Sequence, residues 1–462
     1  MESEKRSNLS RVQLYPQYLT GLGISLIMLE LGIMVGWSSP YLERLTGINA
    51  EPFYLTDEQK SWVASLLNAG RFLGALSGAI LINFLGSKNC LTMSILPTAG
   101  CWILTIFADS YIWLYAARAI GGYGLGLTYS CMALYVGEVA LPEIRGGLIS
   151  IAMSGGSSIG AVISSVCGRY YPMHLTAACF LIPCAIAIVL LAWLPDSPFA
   201  LAKKGKDEEA EEAIAWYQPG QDPTREVTIV KNLVANDKSL TFREKIEKLK
   251  SPAVKQALIH IFALFTFMQL AGLNTIIFFM QEILRKSGIS DPASMVIYVN
   301  ITSFFTGIAS CILIDRFGRR FLLILSSCGV AMAMACLTTN SYLIENNYNV
   351  NNNLQWLPVI SIFLYINAFF VGLMCVPSTV LSEIFPSDVK SIAGCFASLV
   401  GAFWSFMATK SFTPLMDIIG PVYVYGAHGI CALLIIPYVL IFLPETKAKS
   451  LKEIQDQLTG DY

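Results

Sequence analysis

Two amide side chains, Gln269 and Asn274, interrupt the apolar stretch 255–281. Each amide offers two N–H donors and one acceptor oxygen, a combination that suits a ligand rich in hydroxyl groups. Because burying an unpaired amide in an apolar medium is costly, both side chains should face a cavity. The two positions are about 140° apart on a regular helix, so a bend at Gly272 is needed to aim both inward. The alternative is that these amides hydrogen-bond to neighbouring helices.

Charged side chains cluster at the ends of other apolar stretches. Glu138 and Arg145 are seven residues apart, as are Glu383 and Lys390, and about two helical turns place each pair on one face. The remaining members of these clusters are Arg118, Asp196, Asp315, Arg316, Arg319, Arg320 and Glu445. Partly exposed ion pairs are worth about 1 kcal/mol each, which suits a network that opens and closes. The alternative is that these charges only mark loop positions at a membrane surface.

The composition excludes an ordinary soluble protein. Of the 462 residues, 55% are hydrophobic and 14% are charged, whereas about a quarter of the residues of soluble domains are charged. Runs of about twenty residues without a charge recur, and each is long enough to cross a bilayer core of about 30 Å as a helix. The predicted fold class is therefore an all-α membrane protein in contact with the lipid bilayer.

The residue types and their spacing do not indicate an enzyme, a metal-binding protein or a nucleic-acid-binding protein. The 12 cysteines fall in or beside apolar stretches, which is typical of small core residues rather than of disulfide bridges. No metal-ligand spacing, nucleophile–base set or phosphate loop occurs. The net charge of −1 gives no basis for nucleic-acid binding. We expect no enzyme, no catalytic residue, no bound metal and no cofactor.

About twelve apolar stretches predict transmembrane helices, numbered here span 1 to span 12. Their predicted ranges are 18–39, 62–83, 91–109, 112–136, 148–168, 174–194, 255–281, 293–314, 321–341, 357–381, 391–413 and 422–443. Lysine and arginine are concentrated in the loops on the side that holds both termini, which predicts that this side is cytoplasmic.

The spans divide the chain into four parts. We expect an N-terminal six-helix bundle (1–194), a cytoplasmic linker with short amphipathic helices (195–254), a C-terminal six-helix bundle (255–443) and a cytoplasmic tail (444–462). In the linker, Phe242, Ile246 and Leu249 have helical spacing and make one apolar face. A partly disordered linker is the alternative.

The two bundles repeat one another. The Glu138/Arg145 pair matches Glu383/Lys390, and PDSP (195–198) matches PETK (444–447). A third match, of NFLGSK (83–88) with DRFGRR (315–320), is degraded in the first half. Because all three recur at a chain separation of roughly 240 residues, they indicate a duplicated six-helix unit. An even number of helices makes the two pseudo-symmetric halves parallel.

Short motifs extend this pattern along nearly the whole chain. They are GWSSP (36–40), Arg118 with Gly122, Gly124 and Gly126, LPEIRG (141–146), PDSP, QLAGLN (269–274), DRFGRR, SEIFP (382–386) and PETKAKSL (444–451). In this order and spacing they resemble the sugar porters of the major facilitator superfamily, in particular the insect facilitated trehalose and hexose transporters.

The resemblance implies a carrier with the major facilitator fold that moves a sugar by alternating access between two six-helix halves. It implies that Gln269 and Asn274 contact the sugar, and it extends the candidate substrate-binding set to Asn300, Ser303, Ser378 and Trp404. It also implies that a salt-bridge network closes the cytoplasmic side in one state and breaks in the other. The candidate members are Arg118, Glu138, Arg145, Asp315, Arg316, Arg319, Arg320, Glu383 and Lys390.

Several positions depart from the hexose-transporter pattern. Met153 and Met268 stand where many relatives carry Gln, Ser378 where they carry Trp, and Gly401-Ala402 where they carry Asn-Trp. The loss of hydrogen-bonding groups is compatible with a larger disaccharide or a less polar solute. The scarcity of charge around the expected cavity argues against a strongly charged solute.

Ion coupling is not expected. Proton-driven relatives carry an Asp in span 1 where this chain has Ser38, so the resemblance favours facilitated diffusion. Glu30 is the titratable residue within span 1. We expect it to be a structural partner of a polar group on a neighbouring helix rather than a proton carrier.

Two other functions stay open: a porter of a different solute, and a sugar sensor that binds without transporting. The short segment after Glu445 disfavours the sensor, which would need a long soluble tail. The chain is expected to be a monomer in the plasma membrane.

Overall fold

Helices dominate the described chain. The computed structural model describes residues 15–47, 50–219, 222–239, 247–346, 356–447, 449 and 451–459. The twelve spans, in order, are Tyr15–Gly36 with Ser38–Thr46, Asp57–Leu85, Ser87–Ile106, Tyr111–Val139, Pro142–Ser150 with Ile151–Gly156 and Ser157–Tyr170, Met173–Trp193, Pro252–Leu270 with Leu273–Lys286, Pro292–Phe317, Arg319–Glu345, Leu357–Val371 with Val376–Ile384, Ser387–Ile418, and Pro421–Ile441.

The predicted all-α membrane fold is confirmed. Within the described residues, 11 helical segments are long and apolar enough to cross a membrane. Span 4, which is 29 residues long, is not among these 11, but it packs along spans 2 and 3 in the centre of the first half. Large apolar residues such as Leu73, Ile80 and Phe84 stay exposed along the spans, as expected for side chains that face lipid.

Spans 2 and 4 approach closely because glycines line their contact. A Cβ added to Gly70 would lie 2.1 Å from the carbonyl oxygen of Ala119, and one added to Gly122 would lie 2.0 Å from that of Leu67. Small residues let helix backbones meet in the membrane, where packing and not water exclusion holds helices together. The glycines of the Arg118 motif therefore serve helix packing in the first half.

Several spans are interrupted near their middle. Span 7 breaks at Gly272, which has a φ of +95°, a left-handed conformation that favours glycine. Span 10 breaks between Val371 and Val376, and span 5 contains a π-helical turn at Ile151–Gly156. Breaks at membrane depth are tolerated where the freed backbone groups find partners inside the protein. They mark the central region as the place where the structure departs from regular helices.

Short helices cover one face of the molecule. Three of them, Pro198–Lys203, Asp207–Tyr217 and Pro223–Ser239, follow span 6, and Leu451–Thr459 follows span 12. We call this the linker face and the opposite one the far face. The predicted apolar residues Phe242 and Ile246, and most of the loop 346–353, lie outside the described residues.

The linker is fastened to the first half. Gln17 at the start of span 1 donates through Nε2 to the carbonyl oxygen of Tyr217 at 2.9 Å, and its Oε1 accepts from the backbone N–H of Leu141 at 2.9 Å. The Tyr217 hydroxyl contacts the Pro195 carbonyl oxygen at 2.7 Å. One buried amide thus joins span 1, the loop after span 4 and the second linker helix.

Candidate functional site

The break in span 7 brings the two predicted amides together. Asn274 donates through Nδ2 to Oε1 of Gln269 at 2.7 Å, and the two residues are 8% and 3% exposed. The carbonyls freed by the break are also satisfied, because the Tyr365 hydroxyl donates to Ala271 at 2.9 Å and the His428 ring contacts Leu270 at 2.7 Å. The left-handed Gly272 therefore places both amides on one side of the span, as a regular helix would not.

The amide pair keeps hydrogen-bonding capacity for a ligand. Each amide uses one atom for the shared bond, so the other atom of each, Nε2 of Gln269 and Oδ1 of Asn274, has no hydrogen bond within the part of the chain that is described. One side of this pair is bounded by Gly401 of span 11, where an added Cβ would lie 4.0 Å from Nε2 of Gln269. Trp404 follows one turn later, and its Nε1 is buried with no partner among the described atoms.

The other predicted substrate-binding residues lie apart from this pair. Asn300 donates through Nδ2 to Ser165 Oγ at 2.9 Å and so joins span 8 to span 5. Ser303 donates to the Asn300 carbonyl at 2.8 Å. Ser378 is exposed in the part of span 10 nearest the linker face. The structure thus joins Gln269 to Asn274 and places Trp404 one turn from their neighbour Gly401, while Asn300 connects the two halves. The substrate-binding role of all six stays a prediction.

The charge cluster of the second half is built around one ion pair, between Arg319 and Glu383. Arg319 Nη2 donates to Glu383 at 2.6 Å, and the Thr446 hydroxyl donates to the other oxygen of Glu383 at 2.5 Å. Burial alone would raise the pKa of Glu445, but backbone N–H groups of four residues, including Arg319 and Arg320, lower it further than burial raises it. DRFGRR, SEIFP and PETK therefore meet at one point on the linker face.

The first half repeats this cluster without the central cation. Glu138 accepts hydrogen bonds from the hydroxyls of Ser87 and Ser197. Ser87 occupies the position of Arg319, and Ser197 that of Thr446, as the repeat predicts. Lys88 pairs with Asp196 at 3.3 Å. The degraded motif NFLGSK thus replaces the arginine of the ion pair by one hydroxyl donor, Ser87, while the second hydroxyl donor is kept.

Arg145 and Lys390 find no carboxylate among the described side chains. Arg145 donates to the carbonyl of Ala140 at 3.4 Å, and Lys390 to that of Ser382 at 2.7 Å. Burial lowers the pKa of Lys390, and the charge of Arg145 lowers it further, against an opposite effect of Glu383. These two cations, one from each half, thus repel one another in this conformer.

Arg118 lies away from the linker-face clusters, on the far-face half of span 4. It donates to the Met34 carbonyl at 2.8 Å and to the Ser38 hydroxyl, and its guanidinium lies 5.0 Å from the centre of the Trp37 ring. Arg316 stacks on Phe317 at 5.9 Å. The side chain of Asp315 lies outside the described residues. The gating role predicted for these residues stays a prediction.

Glu30 has the structural partner that was expected. Trp102 of span 3 donates through Nε1 to Glu30 Oε2 at 2.7 Å, and Glu30 is 2% exposed. The indole N–H therefore compensates part of the cost of burying this side chain within the first half.

The far face carries ion pairs that sequence reasoning missed. Lys60 of span 2 pairs with Glu282 of span 7 at 3.1 Å, and Arg169 of span 5 with Asp291 beside span 8 at 2.5 Å. Glu43 and Arg285 form a third pair. Arg169 and Ser294 hold the pKa of Asp291 at about 2. The signal in the sequence is the group Glu282, Arg285 and Lys286 at the end of span 7.

These far-face pairs determine which side of the molecule is closed. All three join the first half to the second, and so does the hydrogen bond from the Gln281 N–H to Ser39 Oγ at 3.0 Å. Among ion pairs whose partners are both described, none joins the halves at the linker face. The conformer is therefore closed at the far face.

Comparison with known proteins agrees with this architecture. A family model described as "Sugar (and other) transporter" matches residues 29–458. The chain is 29% identical to a facilitated trehalose transporter of Polypedilum vanderplanki over 98% of its own length and 90% of the relative's. It is 27% identical to one of Culex quinquefasciatus, with 96% and 86% covered.

Solved structures share the fold. An inward-open structure of the xylose transporter XylE from E. coli superposes with a TM-score of 0.78 at 20% identity, over 96% of this chain and 99% of that one. The family match covers nearly the whole chain, and the structural match covers both six-helix halves. The chain belongs to the sugar (and other) transporter family.

Proposed function

We propose that this protein carries trehalose or a hexose across the plasma membrane by alternating access, without coupling to an ion. The observation that carries the proposal is the Gln269–Asn274 pair, held at the break of span 7. Among the described residues, ion pairs join the two halves on one face only. Relatives named facilitated trehalose transporters support the choice of a sugar.

The proposed cycle follows from which contacts join the halves. In the present conformer the far face is closed by Lys60–Glu282, Arg169–Asp291 and Glu43–Arg285. Opening it requires these pairs to separate, and closure of the linker face requires Arg145 and Lys390 to find carboxylates. We place both termini and the linker face in the cytoplasm, because lysine and arginine are concentrated there. The conformer is then open to the inside.

Facilitated diffusion is supported by the surroundings of Ser38 and Glu30, the two residues of span 1 that bear on proton coupling. Ser38 accepts a hydrogen bond from Arg118, and Glu30 is bonded to Trp102. Neither group faces the amide pair of span 7, so protonation there has no direct contact with the proposed sugar site. We further propose that the carrier acts as a monomer.

Uptake measurements test the proposal. The full chain is expressed in oocytes, and entry of labelled trehalose and glucose is measured at several external pH values. We expect saturable uptake with no dependence on a proton gradient. Gln269→Ala and Asn274→Ala should each lower kcat/KM by about tenfold, equivalent to about 1.4 kcal/mol.

The matched control is Asn346→Ala. Asn346 is an exposed amide at the end of span 9, bonded to the Tyr342 carbonyl at 2.9 Å, and its loss should leave uptake unchanged. The absence of saturable flux for any sugar would contradict the proposal, and binding without flux would favour a sensor.

A further inference from the structure

Arg71 is a cation in the middle of the membrane that the proposed function does not use. It is the middle residue of Asp57–Leu85, a helix of 29 residues. Its Nε is buried without a hydrogen-bond partner, and no described residue bonds to its other guanidinium nitrogens. Ionisable side chains at this depth are costly to keep, and they generally serve a function.

Arg118 shows how a structural arginine looks in the same bundle. Its guanidinium is bonded to the carbonyl oxygens of Met34 and Val63 and to Ser38. It also stacks on Trp37. Arg71 has no such set of acceptors among the described residues, so its guanidinium is available to an acceptor from outside the chain.

Arg71 points away from lipid and toward the space between the halves. The exposed residues Leu73, Ile80 and Phe84 mark the lipid side of span 2, and Arg71 is about 160° from Leu73 around the helix. On that side, Gly70 and Gly74 contact span 4, whereas Asn68 and Ala75 contact span 11. The direction of Arg71 lies between these two contacts.

The same depth holds the amide pair and Trp404. Asn68 meets Thr409 at 3.5 Å, and the Ala75 carbonyl meets Cys395 at 3.9 Å. In span 2, Arg71 lies midway between Asn68 and Ala75. In span 11, the segment from Gly401 to Trp404 lies midway between Cys395 and Thr409. Gln269 is the middle residue of Pro252–Lys286. Span 2 from one half and spans 7 and 11 from the other thus place polar groups at one level.

The polar nitrogens at this level can only donate. The guanidinium of Arg71 and Nε1 of Trp404 are donors without acceptor capacity, and Nε2 of Gln269 is a third free donor. A neutral sugar hydroxyl satisfies such groups only in part, whereas a carboxylate or phosphate offers several lone pairs and matches the planar guanidinium with two parallel bonds.

We propose that the preferred solute is an acidic sugar, that is, a sugar carboxylate or a sugar phosphate. Its anionic group binds Arg71 while its hydroxyls bind the amides of span 7. The proposal rests on the proposed carrier function and replaces a neutral sugar by an acidic one as the preferred substrate. It revises the sequence-based expectation that a strongly charged solute is disfavoured. That expectation overlooked Arg71, because span 2 contributes it from the opposite half of the chain.

Proteoliposome uptake of D-glucuronate, glucose 6-phosphate and D-glucose by the full chain tests the proposal. We expect kcat/KM for one of the two anions to exceed that for glucose by about tenfold, a difference of about 1.4 kcal/mol. The two anions distinguish a carboxylate from a phosphate. Arg71→Gln should lower the ratio of anion to glucose uptake by about tenfold, and Arg71→Lys by less. A ratio is insensitive to changes in the amount of folded carrier.

Lys204→Gln is the control, because Lys204 is an exposed cation of the linker and its loss should not change the ratio. A second readout is electrical: net entry of an anion should speed up when the vesicle interior is made positive, and entry of glucose should not.

The outcomes separate this inference from the carrier function. The acidic-sugar proposal is overturned, and the carrier function stands, if glucose or trehalose is transported but neither anion is transported or competes. The same conclusion follows if Arg71→Gln leaves the ratio of anion to glucose uptake unchanged. If nothing moves, equilibrium binding of labelled D-glucuronate to the purified protein decides: binding that is lost in Arg71→Gln supports the site without transport, and no binding overturns it.

Discussion

The far face and the linker face are both rich in charge, but they use it differently. On the far face, ion pairs such as Lys60–Glu282 and Arg169–Asp291 join the two halves. On the linker face, Arg319–Glu383 and Lys88–Asp196 each lie within one half or its linker. An ion pair between halves exists in only one state and so adds to the free-energy difference between states. A pair within one half can persist in both states, and it then stabilises the fold without favouring either.

The largest effect is expected at Glu282. Glu282→Gln removes the cross-half partner of Lys60, whose side chain is only 3% exposed. Lys60 keeps its pair with Asp57 in the same half at 2.6 Å, so the far-face-closed conformer should lose about 2.5 kcal/mol, the upper range for one hydrogen bond between charged groups. We expect the mean distance between probes on unnatural amino acids at Tyr54 and Ser290, two exposed far-face positions, to increase. The distance is measured by electron–electron resonance in nanodiscs.

The control for Glu282 is Glu209→Gln. This change breaks the exposed pair with Lys206 at the start of one linker helix, and the distance between the far-face probes should not change. An unchanged distance in Glu282→Gln would show that the far-face pairs do not set the state.

The next effect concerns the stability of the fold rather than the equilibrium between the two conformers. Arg319→Gln removes the ion pair with Glu383 and should lower the free energy of unfolding by about 2 kcal/mol, the loss of a hydrogen bond between charged groups. Thermal unfolding in detergent measures this loss. Ser87→Ala is the matched change in the first half and should cost about 1 kcal/mol, because only a hydroxyl donor to Glu138 is lost. Equal losses in the two variants would contradict the difference between the clusters.

A smaller effect is expected from the repulsion between Arg145 and Lys390 at the linker face. Lys390→Glu turns the repulsion with Arg145 into attraction and should favour closure of the linker face by about 1 kcal/mol. The far-face probes should then move apart. Lys390→Gln, which removes the repulsion without adding attraction, should give an intermediate distance. If both variants behave like the native chain, Arg145 and Lys390 do not meet in the cycle.

The smallest effect is expected from pH at the far face. The pKa of Asp291 is about 2, below the value of about 3.9 for an unfolded Asp. Its pairing with Arg169 therefore stabilises the closed far face above about pH 4 and is lost as the pH falls toward 2. Because Asp291 is 45% exposed, solvent screens the pair and the change should be slight. The probe distance should rise between pH 5 and pH 3, and Asp291→Asn should remove that dependence.

The sequence anticipated features that depend on local pattern. Apolar runs predicted the positions of the twelve spans, although some ends differ from the observed ones by up to seven residues. The spacing in QLAGLN predicted that Gly272 bends span 7. The repeat predicted that Ser87 and Ser197 correspond to Arg319 and Thr446. Each of these follows from the order of residues along one stretch, or from comparing two stretches of the same chain.

The partners of charged groups were harder to predict. Arg145 was grouped with Glu138 because they share a helix face, yet Glu138 bonds to two serines and Arg145 faces Lys390. Lys60 and Glu282 are far apart in sequence and have no common motif. Arg71 and Gln269 lie at a similar depth in the membrane, and predicting this would have required the packing of span 2 against span 11.

The sequence by itself determined that this chain spans a membrane with two repeated helical units, because hydrophobicity and spacing act over one or two helical turns. Only the tertiary structure decided which face is closed and which polar groups share the middle of the membrane. Those properties depend on distances between side chains from opposite halves, and a distance across an interface is fixed by packing, not by any local pattern.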